Sequence, residues 1–479
     1  MTIRLFNTMS RKLEDFQPLN PGRVSFYSCG PTVYHYTHIG NIRSFVLADL
    51  LKRMFIENGY DVNNVMNITD VGHLTSDDDD SGEDKMEKGA ARENKSVWDV
   101  AKFYTDEFLR DSRDMNLMEP TSRPRATEYI QQQIDLVQKL VDLGYTYEIP
   151  GDGIYYDTSK FAAYGALTGG NLGGNRAGAR VEFNDAKRNP TDFALWKFSP
   201  TDKKRQMEWD SPWGVGFPGW HIECSAMSMA LLGNHFDIHT GGVDLSRIHH
   251  ANEIAQSEPI TGAPWVNYWV HSEFLVDKSG DKMSKSSGEF LTLSVLKNHG
   301  FDPMAYRYML LLGHYQSQLA FSWESLESAA NGYKNIVRRV ADLLDDKNPG
   351  TVDATAFDAW HDKMLAMMSD NLKTAETLVL VQELLRDTSV NAATKIALFE
   401  FIDRLLGLQF IDRAQKQLAL EKADAPAEIV AMADERAAAK AARDWARADE
   451  IRAQIDAAGW SVIDTKDGAK LVKKAMTDL

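Results

Sequence analysis

At 479 residues the chain exceeds what one hydrophobic core usually organises, so a main body with at least one further domain is expected. A formal charge of -16 argues against a uniformly basic nucleic-acid binder, although clustered lysines and arginines can still form a local phosphate-binding face. Two cysteines, no run of about 18 apolar residues and no charged-then-apolar start argue against a disulfide scaffold, a membrane protein and a secretory leader, and predict a cytoplasmic location.

Arg23 to Cys29 reads as a strand, because Val24, Phe26 and Tyr27 are strand formers and Gly30-Pro31 stops it. After the loop His38-Ile39-Gly40-Asn41, a helical pattern runs through Phe45, Leu50, Leu51, Phe55 and Ile56 to Asn58-Gly59. Asp61 to Ile68 is a second strand. Strand, loop, helix, strand predicts a parallel, Rossmann-like sheet. The acidic run Asp77 to Asp80, followed by Ser81-Gly82-Glu83-Asp84, reads as a solvated loop. Ala126 to Leu143 is a helix with Ile130, Ile134, Val137 and Val141 on one stripe, and a glycine-rich stretch from Gly165 to Gly178 follows. The sheet resumes with Asn234 to His239, a strand feeding a glycine turn at Gly241-Gly242 and then a helix from about His249.

Strand-like Glu273 to Asp277 leads into the polar turn Lys282-Met283-Ser284-Lys285-Ser286. Beyond Phe301 the pattern is helical, with Tyr306, Met309, Leu310 and Leu311 in one segment and Phe399, Ile402, Leu405 and Leu406 in another. Asp345 to Asp353 and Asp424 to Ala427 read as linkers. From Asp434 to Leu479 nine lysines and arginines match nine acids, so this end is relatively basic.

The two loops carry the chemistry. In an open parallel sheet ligands bind beyond the carboxyl ends of the strands, where a helix N-terminus offers free amides to phosphate. Gly40 lets backbone approach a nucleotide, and His38 and Asn41 can donate to phosphate oxygens; the alternative is that His38 only caps the helix. Lys282 and Lys285 can neutralise a leaving pyrophosphate, or belong to an ordinary surface turn. Cys29, Cys224, His249 and Glu253 make a chemically sound zinc set, His249 and Glu253 being four apart on one helix face. His221, His239 and His250 are competing ligands.

Taken in this order, the two loops resemble the paired nucleotide signatures of class I aminoacyl-tRNA synthetases. Further strings make the chain similar to the cysteinyl-tRNA synthetase family almost end to end. They are Phe6-Asn7-Thr8, Cys29-Gly30-Pro31-Thr32-Val33-Tyr34, Asn67-Ile68-Thr69-Asp70, Pro218 to Met227, Gly233 to His239, Gly241 to Leu245, His249-His250 and Asn252 to Ser257. The resemblance implies zinc on Cys29, Cys224, His249 and Glu253, selecting the thiolate of L-cysteine over serine. It implies His38, Asn41, Lys282 and Lys285 as catalytic residues, with Gly40, Gly241, Gly242 and Asp244 also on ATP and magnesium accompanying it. Cys29, Gly30, Thr32, Thr69, Trp220 and His239 would form the amino-acid pocket, though Trp220 could instead be plain packing and Asp244 a helix cap.

The fold class implied is α/β: a Rossmann-like parallel-sheet catalytic domain in two halves, 1–120 and 206–285, around a connective α/β insertion at 121–205. A stem-contact segment at 286–330, an all-α helical bundle at 331–425 that binds tRNA, and a small anticodon-binding domain at 426–479 would follow, in a monomer acting on tRNA(Cys). Lys334, Arg338 and Arg339 form one candidate phosphate face and Arg436, Lys440, Arg443 and Arg447 another, while Trp445 and Trp460 either stack on a base or pack the terminal domain. The chain departs from the family at Asn41, where a second histidine is frequent, at Val71-Gly72-His73 with Asp84-Lys85 as a shifted acid-lysine pair, and at Ile248 and Ala251. Two competing readings are a cysteine ligase with a small amine acceptor and a catalytically silent RNA-binding paralogue. The full-length helical tail weighs against the first, and the intact loops and ligand set against the second.

Overall fold

The computed structural model describes residues 1–72, 84–169, 186–201, 204–277, 280, 290–421, 425–465 and 468–473. The Lys282 loop and the Asp77 to Asp80 run lie outside the described residues, as does most of the glycine-rich stretch. The chain divides into two compact units. The first comprises 1–293, 310–322 and 365–376, and the second 294–309, 323–364 and 377–479.

In the first unit a hairpin, β1 (Arg4–Asn7) with β2 (Lys12–Asp15), precedes the central strand β3 (Arg23–Ser28). Helix α1 (Ile39–Glu57) then crosses to β4 (Asp61–Met66), and α2 (Lys85–Glu93) and α3 (Val97–Asp114) follow. After α4 (Ile130–Asp142), the strands β5 (Thr146–Ile149), β6 (Gly153–Tyr156), β7 (Phe193–Phe198) and β8 (Gly216–Pro218) form an antiparallel sheet. The chain returns through α5 (Trp220–Leu232), β9 (Phe236–Gly242), α6 (Val243–Arg247), α7 (His249–Thr261) and β10 (Val266–Ser272). The main sheet has the order β10-β9-β3-β4 with every pair parallel. Since β3 leads outward to β4 and β9 outward to β10, the strand order reverses between β3 and β9, and a crevice opens at their carboxyl ends.

The glycine pair differs from the turn expected of it. Gly241 and Gly242 continue β9, in register with His271 and Ser272 of β10. Glycine is needed there for packing: a Cβ on Gly241 would lie 2.8 Å from Leu245 and 3.1 Å from the His250 ring. Gly30 is tighter still, its Cβ falling 1.7 Å from the Asn67 carbonyl oxygen.

Helix α1 is buried on most of its faces, and Arg43, Asp49, Lys52 and Arg53 are buried along with most of its apolar residues. Arg53 pairs with Asp49 at 2.8 Å, and Asp49 also accepts from the Met118 N–H at 2.7 Å. Arg43 donates to four main-chain oxygens, those of Glu273 at 2.9 Å, Phe274 at 2.7 Å, His314 at 3.0 Å and Ser317 at 2.6 Å. Two short strands lie in those segments, β11 (Leu275–Val276) and, after α8 (Leu293–Asn298) and α9 (Pro303–Leu311), β12 (Leu319–Ala320), and they pair in parallel.

The second unit is helical. Its long helices are α10 (Trp323–Leu344), α11 (Ala354–Ser369), α12 (Thr374–Arg386), α13 (Ala392–Leu406) and α14 (Phe410–Glu421), although 365–369 of α11 and 374–376 of α12 count with the first unit. Ile336, Val340, Phe399, Ile402, Leu405 and Phe410 are buried. Tyr333 donates to the Leu408 oxygen at 2.7 Å and Arg307 to that of Leu406 at 2.9 Å, satisfying carbonyls where α13 ends. Next come α15 (Ala427–Ala441), α16 (Trp445–Ala457) and the hairpin β13 (Trp460–Thr465) with β14 (Gly468–Lys473), packed on Ile429, Ala433, Ile451, Ile455, Trp460 and Val462.

Replacing Arg43 by methionine would leave four carbonyl oxygens without their donor and should cost about 3–5 kcal/mol of stability, read as a lower urea midpoint. Arg43→Lys should recover only part of it, because an ammonium lacks the planar fork. An unchanged midpoint in Arg43→Met would contradict the role given to this side chain.

Candidate active site

At the sheet crevice lies a cleft of about 250 Å³. Cys29, Gly30 and Thr32 enter it from the end of β3, His38 and Asn41 from the start of α1, and Trp220, Gly242 and Asp244 from the second half of the sheet. Phe290, Lys85 and Ser44 complete much of the wall. Eight residues expected at a site are therefore brought together from three stretches of chain. Lys282 and Lys285 lie outside the described residues.

His38 both caps the helix and faces the cleft. Its Nδ1 accepts the Gly40 N–H at 3.0 Å, which leaves Nε2 as the protonated nitrogen of the neutral ring. Gly40 itself serves this cap, and a Cβ there would sit 3.2 Å from Nδ1. Asp244 is not the cap of α6, since Gly242 holds that position without any side-chain bond, and Asp244 is among the residues that line the cleft. Trp220 opens α5 with its ring centroid 4.4 Å from that of His249. The Lys85 ammonium lies 5.3 Å over the same indole, a cation–π distance. Lys85 is held there by its neighbour: Asp84 caps α2, accepting from Met86 at 2.7 Å and Glu87 at 2.9 Å, and pairs with the buried Arg205.

Beneath the cleft the expected ligands converge. One donor atom from each of Cys29, Cys224, His249 and Glu253 lies within 4.8 Å of the others. A second set, Cys29, His239, His250 and Glu253, meets the same limit. His249 Nε2 lies 2.9 Å from Glu253 Oε1, and His239 Nε2 lies 2.8 Å from Oε2. His221 Nδ1 lies 2.9 Å from His249 Nδ1. Thr69 donates to Glu223 at 3.1 Å behind this floor, where burial, then Asp70, pushes the Glu223 carboxyl well up.

The electrostatics suit a cation. A hydrogen bond from Cys29 lowers the Cys224 thiol to about 7 against the effect of burial. Burial, with that same bond to Cys224, drives the Cys29 thiol up. Burial opposes charge on Glu253, yet His239 and His249 outweigh it and hold the carboxyl at about 2. Burial likewise opposes charge on His249, but Glu253 and Cys224 raise it to about 10. Burial, then crowding by other imidazoles, lowers His250 and lowers His271 to about 3, so both are neutral. Above about pH 7, where Cys224 is a thiolate, these shifts leave the quartet with one negative charge, and a dication that displaced the Cys29 and His249 protons would leave that charge unchanged. Two thiolates, an imidazole and a carboxylate whose donor atoms lie within 4.8 Å of one another are a donor set that suits a divalent metal such as zinc.

The tRNA faces expected at the C-terminal end are partly consumed by packing. Arg436 is buried, Arg447 pairs with Glu435 at 2.7 Å and Glu450 at 2.6 Å, and Arg339 donates to the Leu385 oxygen at 2.8 Å. Trp460 is core at 5% exposure, whereas Trp445 is 59% exposed.

The family described as "tRNA synthetases class I (C) catalytic domain" matches residues 15–331. A protein named cysteine–tRNA ligase 1 from Burkholderia lata is 47% identical over 476 residues, covering 99% of this chain and 98% of its own. The cysteine–tRNA ligase of Treponema denticola is 43% identical over 497 residues, covering 99% and 100%. Among solved structures, methionyl-tRNA synthetase of Mycobacterium tuberculosis bound by methionyl-adenylate superposes with a TM-score of 0.54 at 15% identity over 84% of this chain and 95% of that one, a likeness of fold.

If zinc enters the quartet, its uptake by metal-stripped chain should release about two protons at pH 8 and about three at pH 6, where Cys224 is also protonated. Affinity should fall with falling pH accordingly. Indicator dye in weak buffer measures this, and release of less than about one proton at both pH values would rule the quartet out.

Proposed function

From its place among the class I cysteine–tRNA ligases, to which this chain belongs, we propose that it activates L-cysteine with ATP and transfers it to tRNA(Cys). The observation that carries the reading is the meeting of two thiols, an imidazole and a carboxylate directly under the cleft that His38 and Asn41 line. Relatedness over almost the whole chain, helical tail included, supports a tRNA acceptor over a small amine.

In the first step the carboxylate of cysteine attacks the α-phosphorus of ATP and pyrophosphate leaves. In the second, a ribose hydroxyl of the terminal tRNA adenosine attacks the cysteinyl carbonyl and AMP leaves. Neither step needs covalent help from protein, so positioning and charge stabilisation carry the rate. His38 donates from Nε2 to the phosphates, its Nδ1 being committed to Gly40. Asn41 donates from its amide and stays neutral at every pH, unlike a histidine. Lys282 and Lys285 neutralise the departing pyrophosphate, with magnesium on the triphosphate. Asp244 and the end of β9 at Gly241-Gly242 hold the adenosine. Trp220 and Thr69 shape the amino-acid pocket, with Gly30, Thr32 and His239 beside it. Zinc on Cys29, Cys224, His249 and Glu253 would supply affinity for a thiolate over a hydroxyl, a difference that an apolar pocket resolves poorly. The second unit would meet tRNA, and the protein would act as a cytoplasmic monomer; among the described residues no helix is long and apolar enough to cross a membrane.

Purified protein with ATP and magnesium should load labelled cysteine, and not serine, onto total tRNA. Cysteine-dependent pyrophosphate exchange without tRNA charging would move the acceptor to a small amine. Cys224→Ser should lose zinc and cysteine activation together. Lys285→Ala should keep its zinc and form adenylate roughly a hundredfold more slowly, and a parent-like rate would exclude the pyrophosphate role.

A further inference from the structure

Behind Cys29 a row of polar groups leads away from the proposed metal. Cys29 Sγ lies 3.4 Å from His250 Nε2. The other nitrogen of that ring, Nδ1, is 2.8 Å from His271 Nε2, and His271 Nδ1 is 2.8 Å from Thr8 Oγ1. Three elements supply the row: α7 gives His250, β10 gives His271, and the residue after β1 gives Thr8. Thr8 is fixed through its own N–H, which donates to the Trp269 oxygen at 2.8 Å. Both rings are buried.

A neutral imidazole has one donor and one acceptor nitrogen, so the row has two self-consistent polarities. If Thr8 donates, His271 Nδ1 accepts, His271 Nε2 donates to His250 Nδ1, and the His250 Nε2–H points at the Cys29 sulfur. If Thr8 accepts, every donor reverses and His250 turns a lone pair toward the sulfur. A metal-bound thiolate only accepts, and it selects the first polarity. Under the second, His250 would itself be free to bind metal in the alternative set with His239.

We infer that Thr8, His271 and His250 form an orienting relay that places one N–H on the Cys29 sulfur and keeps His250 off the metal. Turned this way, His250 has no lone pair to offer the alternative set of Cys29, His239, His250 and Glu253, whose donor atoms meet the same 4.8 Å limit as those of Cys29, Cys224, His249 and Glu253. Thr8 and His271 are positioning residues: they act on the ion through another side chain, as outer partners of ligands do. This inference rests on the zinc reading above.

The test uses the full chain loaded with zinc and, in parallel, with cobalt(II). Thr8→Val keeps the side-chain shape and removes the hydroxyl; Thr8→Ser keeps the hydroxyl. Thr8→Val should give up zinc to a chelator roughly tenfold faster than the parent, and Thr8→Ser at the parent rate. With cobalt, the thiolate-to-metal charge-transfer band should move to longer wavelength in Thr8→Val, since rings without the Thr8 anchor hold the N–H on the sulfur more weakly and the sulfur is then easier to oxidise, and should stay in place in Thr8→Ser. His271→Phe, which interrupts the row at its middle, should move the band the same way. Parent-like release and band in Thr8→Val, or a serine variant that behaves like valine, would overturn the relay alone. A parent chain that takes up no zinc would overturn the metal reading and the relay with it.

Discussion

The guanidinium of Arg43 holds four main-chain oxygens from two separate segments, and the cleft depends on that grip. Arg43 sits one turn beyond the His38 cap, so the helix that presents His38 and Asn41 also fixes the strand β11 and the segment before β12. From the other side, the Ile39 N–H donates to the Leu291 oxygen at 3.0 Å and His38 bridges to Thr292. Residues 273–274 and 291–292 are therefore both fastened to the start of one helix. A buried cation is tolerable here because carbonyl dipoles replace its water, and a planar fork can reach four of them where an ammonium could not.

A parallel sheet explains why the chemistry gathers where it does. With β3 and β9 adjacent and their connections leaving in opposite directions, Cys29 at one strand end and Asp244 just beyond the other arrive at one crevice. The floor beneath is lined with imidazoles and carboxylates that would be costly to bury singly. Together they offset one another, Glu253 taking two histidines and His249 taking Glu253 and Cys224. In the proposed reaction that arrangement lets the site read sulfur by ligation rather than by shape.

Much of this was legible in the sequence, and the failures have physical causes. β3 and α1 follow from period and punctuation, because each is a local pattern ended by glycine or asparagine, while β4 begins as expected at Asp61 and stops at Met66, two residues before the expected end. The quartet was named from residue chemistry together with family likeness; its spacing of 195 positions between the two cysteines carries no signal of its own. Gly241-Gly242 misled as a turn because two glycines usually punctuate, whereas here tertiary pairing with β10 and the approach of His250 require them in a strand. Arg436 and Arg447 looked like a free basic face since helical spacing cannot show that one is buried and the other engaged by Glu435 and Glu450. Asp84-Lys85 stood out as a shifted acid-lysine pair, but the Arg205 that pairs with Asp84 lies 121 residues away and no local pattern announces it. Thr8 and His271 stand 263 apart and no local rule could have joined them.

Both cysteines of the chain belong to the quartet, and there is no third. Every sulfhydryl reaction of this protein is thus a report on one small volume. Alkylation of the native chain, counted as added mass, would separate the partly exposed Cys29 from the buried Cys224, whose slower labelling records how often the floor of the cleft opens. The same economy makes the molecule vulnerable at a single point: an electrophile that reaches Cys29, the partly exposed member, touches the proposed selecting site at once, with no decoy thiol elsewhere to absorb it.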